Sequence, residues 1–229
     1  MASQPPPATS APCRSHPTDQ TQSSCAASCP PSWEFFPALA AAGLPHGFSL
    51  RSREIDRLPP VGDLGIEPDR LIGAEQTHGN GIALVKKPVR RFYPSVDGLL
   101  TACRGLALQI RVADCAAVYL FDPEVPAIGL LHSGRRGSDA GIVTKAIEGF
   151  QKHWGSPAER LIVQISPCIR PPHYEVDFAG QIREQALAMG VRCLFDCGTC
   201  TACHLDRYFS YRAEKGKTGR MWAVAMLPR

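Results

Sequence analysis

Apolar residues fall in short runs and in helically spaced sets along the chain, and this pattern predicts an α/β protein. Buried strands are typically apolar runs of about four to eight residues bounded by turn residues. Runs of this kind lie at residues 71–74, 82–85, 105–112, 116–121, 127–131, 161–165, 191–195 and 221–227. The Asn80-Gly81 dipeptide between the first two runs favours a hairpin that pairs them directly.

Two longer segments place apolar residues three and four positions apart, which is the spacing of one helix face. The apolar face of the first segment consists of Ile142, Val143, Ala146, Ile147, Phe150 and Trp154. Ser138 or Asp139 is expected to cap this helix. Asp177 is expected to cap the second helix, which stops at Gly190.

No internal repeat and no linker interrupts residues 33–229, so we expect one domain there. Strands that alternate with helices are typical of layered α/β folds. The predicted fold is therefore α/β: a single-domain layered sandwich with a mixed β-sheet and flanking helices.

The first 32 residues differ in composition from the rest of the chain. Residues 1–32 contain seven prolines and seven serines, and Arg14 is their only Lys or Arg. A segment of this composition buries too little apolar surface to offset the entropy lost on ordering. We therefore predict a disordered Pro/Ser-rich leader.

The chain has 229 residues, a net charge of +4 and a pI of about 8.6. Its basic residues are spread out, so no nucleic-acid partner is expected, whereas anionic small substrates such as phosphate suit this charge. No run approaches the roughly 18 apolar residues of a membrane span. The chain does not open on a secretory signal, which favours a cytoplasmic protein. In a reducing compartment, ten cysteines indicate metal binding or chemistry more than disulfides.

Three short segments in the middle of the chain each place a metal-capable side chain beside a tight turn. They are residues 76–79 (QTHG), 113–115 (ADC) and 132–137 (HSGRRG), which contribute His78, Cys115 and His132. Two imidazoles and one thiolate can supply three ligands to a tetrahedral zinc and leave the fourth position open. Each residue also has a structural alternative, since a strand-end histidine is often only hydrogen-bonded and a free cysteine is often a small buried hydrophobe. Spacing along the chain leaves open whether the three side chains converge.

Three further segments carry candidate chemistry, each with a structural alternative. Arg135 and Arg136 precede a helix and suit an anion, although a solvated charged turn explains them as well. Residues 197–204 (CGTCTACH) suit a structural zinc, part of an iron–sulfur cluster, a redox pair or ordinary packing. Residues 208–212 and Arg220 place aromatic rings beside a hydroxyl and cations, which suits a nucleoside, while core packing is the alternative.

Several of these segments together resemble one protein family. The matching segments are residues 46–51 (HGFSLR), 76–79 (QTHG), 96–101 (VDGLLT), 113–115 (ADC), 132–137 (HSGRRG), 167–169 (PCI), 174–176 (YEV), 200–201 (CT) and 209–212 (FSYR). Their order and spacing resemble the multicopper polyphenol oxidase or laccase-domain family, from about residue 46 to the C-terminus. Members of this family include purine nucleoside phosphorylases that also deaminate adenosine.

The resemblance implies a zinc-dependent purine nucleoside phosphorylase with adenosine deaminase activity. It implies one catalytic Zn²⁺ held by His78, Cys115 and His132. The residues expected to be catalytic are Cys115, Asp114 and Arg136, and those expected to bind substrate are Arg51, Gln76, Ser210 and Arg212. Expected substrates are adenosine, inosine and guanosine together with phosphate, and methylthioadenosine is a further candidate.

The chain departs from the family pattern at three places. Arg135 stands where the family usually carries Trp, and Ser166 stands where it usually has Gly. The stretch between Arg51 and Gln76 is shorter than the usual loop. An indole missing from the pocket wall would alter base specificity, so the departures bear on substrate range more than on the metal.

Three other functions compete with this interpretation. Multicopper oxidation is disfavoured because such centres use repeated His-x-His pairs, and the seven histidines contain none. A cysteine hydrolase would use Cys115 as nucleophile and His132 as base, without a bound metal. A non-enzymatic zinc- or redox-responsive binding protein would be built on the cysteines of residues 197–203. The sequence makes no prediction of the oligomeric state.

Overall fold

Twelve strands run through the described residues of the computed structural model, which are 33–52, 61–87 and 91–229. They are β1 (Trp33–Glu34), β2 (His46–Ser49), β3 (Leu71–Ala74), β4 (Ile82–Leu84), β5 (Phe92–Tyr93), β6 (Gly98–Thr101), β7 (Ala107–Val112), β8 (Ala116–Asp122), β9 (Ala127–Ser133), β10 (Ile162–Ile165), β11 (Cys193–Asp196) and β12 (Met221–Met226). The predicted leader at residues 1–32 lies outside the described residues.

The strands divide between two six-stranded sheets, and both sheets mix parallel and antiparallel neighbours. The first has the order β1-β2-β12-β7-β3-β5, with β3 parallel to both β5 and β7. The second has the order β11-β10-β8-β9-β6-β4, with a parallel pair at each edge. The predicted α/β class with mixed β-structure and flanking helices is confirmed.

The interior is divided into layers, because successive side chains of a strand point to opposite faces of its sheet. On β8, Tyr119 faces the apolar core shared by the two sheets, whereas Val118 and Leu120 face a second core that contains the helices. A smaller core around Trp33 and Trp222 lies against the first sheet. The second sheet is therefore covered by the first sheet on one face and by helices on the other.

Four α-helices are present in the described residues: α1 (Pro37–Ala41), α2 (Arg135–Asp139), α3 (Ile142–Trp154) and α4 (Phe178–Ala188). Asp177 caps α4 as predicted, because its carboxylate accepts a hydrogen bond from the Gly180 amide at 2.9 Å. The predicted cap of α3 at Ser138 or Asp139 is wrong. Both residues belong to α2, and α3 begins after Gly141, whose φ of 70° separates the two helices. None of these helices has the length and apolar character needed to cross a bilayer.

The predicted hairpin between residues 71–74 and 82–85 is wrong, because β3 and β4 belong to different sheets. Gln76 and His78 have φ angles of 65° and 63°, and these left-handed residues turn the chain out of the first sheet. Residues 82–84 then pair in parallel with β6. The intervening loop therefore crosses between sheets, and it carries His78 to the end of the second sheet.

Candidate metal centre and active site

Three side chains from distant parts of the chain meet at one end of the second sheet. The ligand atoms of His78, Cys115 and His132 all lie within 4.8 Å of one another. The two imidazole rings pack edge to face with their centroids 4.7 Å apart. The structure thus brings together the three side chains whose convergence the sequence left open.

Strand pairing places Cys115 beside His132. In the antiparallel ladder of β8 and β9, Ala117 lies opposite His132, and Cys115 comes directly before β8. Gly134 follows β9 and faces the thiol. A Cβ atom at Gly134 would lie 2.5 Å from the sulfur of Cys115, so only glycine leaves room for the thiol in this position.

Asp97 holds two of the three ligands, His78 and His132, in place, although the sequence pattern assigned it no role. Its fully buried carboxylate accepts hydrogen bonds from the amides of Thr77, His78 and Gly79 at 2.8–3.1 Å. It also bonds to Nδ1 of His132 at 2.8 Å, which leaves Nε2 of that ring for the cluster. One carboxylate therefore fixes the His78 loop and orients the His132 ring, as carboxylates behind metal-bound histidines do. An acidic residue directly before a buried strand is the sequence signal that marks it.

The pKa values of the cluster favour a thiolate at neutral pH. Burial raises the pKa of the Cys115 thiol, but hydrogen bonds with His132 and His78 outweigh burial and bring the pKa to about 6. Burial lowers the pKa of His132, but Asp97 and Cys115 raise it to about 9. Burial also opposes ionisation of Asp97, yet its hydrogen bonds hold its pKa at about 2. The thiolate is the form of cysteine that binds metal ions.

The donor set fits a divalent ion that accepts nitrogen and sulfur. Zinc binds imidazole and thiolate at about 2.0–2.3 Å, and donor atoms within 4.8 Å of one another are close enough for one ion to draw them into such bonds. Magnesium and calcium prefer oxygen ligands and do not suit this set. Three protein ligands leave a fourth position for water or substrate, which is typical of catalytic zinc.

A cavity of about 1110 Å³ opens onto the cluster, and His78, Cys115 and His132 lie in its lining. Its lining includes six cationic side chains, namely Arg111, Arg135, Arg136, Arg212, Lys215 and Arg220. The carboxylates in the lining are those of Glu75 and Asp114, and the aromatic rings are those of Tyr174, Phe178 and Tyr211. An electropositive cavity with aromatic walls suits an anion together with a planar ring.

Asp114 and Arg136 both line the cavity, and they differ in how they are held. Both carboxylate oxygens of Asp114 are occupied, since one accepts a hydrogen bond from the Thr201 hydroxyl and the other from the Arg212 amide, each at 2.7 Å. Asp114 also has a φ of 83°, so these bonds stabilise a left-handed turn directly before Cys115. The Arg136 guanidinium forms no ion pair with any described residue and is available to an anion.

Two of the predicted substrate-binding residues, Gln76 and Arg212, lie in the cavity lining. The Gln76 amide is bonded in both directions to the backbone of Arg111, at 2.6 and 2.9 Å. The Arg212 guanidinium pairs with Glu175 and lies 5.3 Å from the centre of the Tyr174 ring. Contacts within the protein therefore fix the orientation of both side chains at the cavity wall.

The other two predicted substrate-binding residues, Arg51 and Ser210, lie outside the cavity lining. Arg51 pairs with Glu214 at 2.7 Å and lies over the Phe209 ring at 4.6 Å. Ser210 is fully buried, and its hydroxyl accepts a hydrogen bond from the Ala213 amide at 3.2 Å. Direct contact of these two residues with substrate stays a prediction.

The departures from the family pattern are accommodated in different ways. Arg135 lines the cavity, and its guanidinium lies 3.9 Å from the Asp139 carboxylate. Ser166 is fully buried and accepts a hydrogen bond from the Ala117 amide at 2.9 Å, so its hydroxyl supports β8 near Cys115. Part of the short stretch after Arg51, residues 53–60, lies outside the described residues.

A family model described as multi-copper polyphenol oxidoreductase laccase matches residues 57–181 and 176–228. A purine nucleoside phosphorylase of Deinococcus radiodurans is 31% identical over 222 residues, which cover 82% of this chain and 85% of that protein. The purine nucleoside phosphorylase ORF3 of Streptomyces griseus is 31% identical over 186 residues, covering 69% of this chain and 74% of that protein.

Solved structures share the fold. YlmD from Geobacillus stearothermophilus superimposes with a TM-score of 0.80 at 24% identity, covering 87% of this chain and 97% of that one. The Bacillus licheniformis protein YfiH gives a TM-score of 0.77 at 21% identity, covering 86% of this chain and 97% of that one. With the fold shared and the family model matched over most of its length, this chain belongs to the multi-copper polyphenol oxidoreductase laccase family.

Proposed function

We propose that this protein is a zinc-dependent purine nucleoside phosphorylase that also deaminates adenosine. The observation that carries the proposal is the meeting of His78, Cys115 and His132 in the lining of a cationic cavity. Relatives named purine nucleoside phosphorylases, 31% identical to this chain, support it. Copper oxidation is the weaker candidate, because the sequence contains no His-x-His pair.

In phosphorolysis, an oxygen of phosphate attacks C1′ of the ribose while the bond from C1′ to the purine nitrogen breaks. The products are ribose 1-phosphate and the free base, which takes up a proton. We assign phosphate binding to Arg136, whose guanidinium has no ion-pair partner among the described residues and can form two parallel bonds to an anion. The other cations of the lining raise the local concentration of phosphate. The rings of Tyr174 and Tyr211 are surfaces on which a purine can stack.

Arg51 and Ser210 are assigned to positioning the cavity wall from behind. The Glu214 carboxylate accepts hydrogen bonds from the Arg51 guanidinium at 2.7 Å and from the Ser210 amide at 3.0 Å. These contacts hold the turn that carries Tyr211 and Arg212. Their role in substrate binding is then to fix two residues that line the cavity.

Deamination of adenosine forms a bond from water oxygen to C6 of the purine and breaks the bond from C6 to the amino group, which leaves as ammonia. When bound, zinc supplies Lewis acidity that lowers the pKa of water toward about 7, which is the chemistry this hydrolysis needs. The chain holds the three donors, with Asp97 orienting the His132 ring. Both oxygens of Asp114 are already hydrogen-bonded, so we assign Asp114 to positioning Cys115 and Arg212 rather than to proton transfer.

The experiment that tests the function replaces Cys115 by Ala and assays inosine with phosphate, and adenosine alone. Both activities are expected to fall by about 100-fold or more, the scale on which removal of one electrostatic contributor acts. Cys193→Ser is the matched control, because Cys193 is an exposed free thiol on β11. Unchanged turnover by a well-folded Cys115→Ala protein would contradict the zinc mechanism.

The phosphate role has its own test, in which Arg136 is replaced by Ala. The KM for phosphate is expected to rise by about tenfold or more, since one charged hydrogen-bonding partner contributes about 1.5–3 kcal/mol. The KM for inosine should change less. Arg70→Ala, at an exposed arginine outside the cavity lining, is the control. If the KM values for phosphate and for inosine changed equally, Arg136 would instead maintain the shape of the cavity without binding phosphate specifically.

A cysteine hydrolase is the second candidate function, because Cys115 and His132 form a thiolate–imidazolium pair. Metal content separates the two functions. A nucleophilic cysteine works without zinc. The hydrolase would therefore be favoured if the metal-free protein hydrolysed its substrate and the zinc-loaded protein showed no phosphorolysis.

A further inference from the structure

A second group of soft ligands lies outside the cavity lining. The ligand atoms of His173, Cys200 and Cys203 all lie within 4.8 Å of one another. Nδ1 of His173 is 3.5 Å from the sulfur of Cys203 and 3.9 Å from that of Cys200. The sequence pattern had grouped residues 197–204 among themselves, but neither Cys197 nor His204 belongs to this group.

Local geometry explains why these two cysteines face the same way. Cys200 directly precedes, and Cys203 ends, a single 3-10 turn over Thr201–Cys203. In a 3-10 helix, side chains three residues apart lie one above the other, so the C-x-x-C spacing presents two thiols on one side. Cys200 is buried and Cys203 is exposed, which leaves one face of the pair open to solvent.

Backbone pairing brings the histidine to the thiols. Residues 168 and 200 form a parallel bridge, in which the Cys168 amide donates to the Thr199 carbonyl at 3.2 Å and the Thr201 amide donates to the Cys168 carbonyl at 3.1 Å. The segment that follows Cys168 turns at residues 170–174 and places His173 over the two sulfurs. The three ligands therefore come from two loops that the fold already holds together.

We propose that His173, Cys200 and Cys203 form a second metal site that binds one zinc-class ion, with the fourth position open to solvent. Two thiolates and one imidazole are ligands of zinc and not of magnesium or calcium. Binding releases the proton of each coordinated thiol to solvent, and no electron transfer is involved. None of the three ligands lies in the lining of the cationic cavity, so we assign this ion to holding loops together rather than to binding substrate.

The ion clamps two loops that support the candidate active site. Thr201, between the two thiols, donates its hydroxyl to Asp114 at 2.7 Å, and Asp114 directly precedes Cys115. Tyr174, next to His173, lines the cavity and lies under Arg212. Metal bound at the second site therefore fixes the backbone behind both the Cys115 turn and the aromatic wall.

The test measures metal per chain in the full-length protein, purified with a reducing agent after growth with added zinc. We expect two equivalents in the wild type. His173→Ala and Cys203→Ser should each lose one, and Cys193→Ser should keep both, as an exposed cysteine outside the group. His173 is exposed, so its replacement leaves the core unchanged.

A Cys115→Ala background separates the two sites. In that background one equivalent should remain, and cobalt in place of zinc should give a thiolate-to-metal charge-transfer band that His173→Ala or Cys203→Ser abolishes. Retention of this equivalent and its band in both variants would overturn the proposal. Absence of any bound metal in Cys115→Ala protein would do the same, and so would a Cys200–Cys203 disulfide found by peptide mapping of protein purified with a reducing agent. Loss of zinc from the Cys115 site alone would affect the proposed function and leave this site standing.

Discussion

At the scale of single residues, Asp97 organises the candidate metal centre more than any ligand does. Its carboxylate is fully buried, and it collects three backbone amides, the Thr77 hydroxyl and the His132 ring. A buried carboxylate is stable only when its charge is met by such donors. The same bonds that compensate its charge hold His78 and His132 in place.

Replacing Asp97 by Asn tests this role. In asparagine, an NH₂ group replaces one of the carboxylate oxygens that accepted hydrogen bonds. At least one backbone amide therefore loses its partner. Zinc affinity at the His78, Cys115 and His132 site is expected to fall by about 10–100-fold, as for other residues that orient metal ligands. Competition with a chromophoric chelator measures it, and Asp69→Asn on the exposed surface is the control. Equal affinities in the two variants would contradict the assignment.

The Cys115 thiol leads to a pH prediction for the metal-free protein. Its pKa of about 6 lies below the usual value, so the stability contributed by ionisation is lost as pH falls through about 6. Below that pH the thiol is protonated and unreactive. The rate of Cys115 alkylation by iodoacetamide should therefore rise up to about pH 6 and level off above pH 7, as followed by peptide mass spectrometry. A rate that still climbs beyond pH 8 would mean an ordinary thiol.

At the scale of elements, strand ends and tight turns position the chemistry. The ladder of β8 and β9 sets Cys115 beside His132, and the crossover loop after β3 delivers His78. Gly134 joins β9 to α2 with a φ of −105°, a backbone conformation that any residue adopts. Its requirement for glycine therefore comes from the nearby sulfur and not from backbone strain.

Gly134→Ala separates these two causes. The added methyl meets the sulfur of Cys115 at 2.5 Å, so the thiol has to move away from the two histidines. Zinc affinity should fall by about tenfold or more, since ligand geometry is lost, whereas the free energy of unfolding of the metal-free protein should change by about 1–3 kcal/mol. Isothermal titration and urea unfolding measure the two effects. Gly62→Ala, with open space around its Cβ, is the control and should change neither.

The sequence predicted strand positions well and some strand partners poorly, for a physical reason. Alternating and continuous apolar runs report burial, so β7 to β10 fall within a residue or two of their predicted bounds. The Asn80-Gly81 signal is local and carries no information on long-range contacts. Asp97 binds the amides of residues 77–79 and draws the loop to another sheet. The Ser138 cap failed similarly, since its hydroxyl bonds to that of Ser133.

At the scale of the whole molecule, the layered fold explains why the candidate site could be predicted only in part. His78, Cys115 and His132 were recognisable because each sits in a short distinctive segment at a strand end. The partner of Cys200 and Cys203 was not recognisable, since His173 lies 27 residues before Cys200 and comes near it through contacts between loops, among them the bridge between residues 168 and 200. The cysteines and histidines of the sequence indicated metal binding, but the contacts between loops in the fold determine which of them form one site.

The two proposed metal sites would each tie together separate loops, which predicts that zinc stabilises the folded domain. Zinc that binds only the folded state adds about 2.7 kcal/mol to the free energy of unfolding at each site, at a free concentration 100 times Kd. In a protein of this size 1 kcal/mol corresponds to about 2–4 °C in Tm, so each site should contribute about 5–10 °C. Calorimetry with zinc and with EDTA measures the shift. Cys193→Ser should keep all of it and Cys115→Ala or His173→Ala about half. The Cys115→Ala/His173→Ala protein should keep none, and a full shift there would place the stabilising zinc elsewhere.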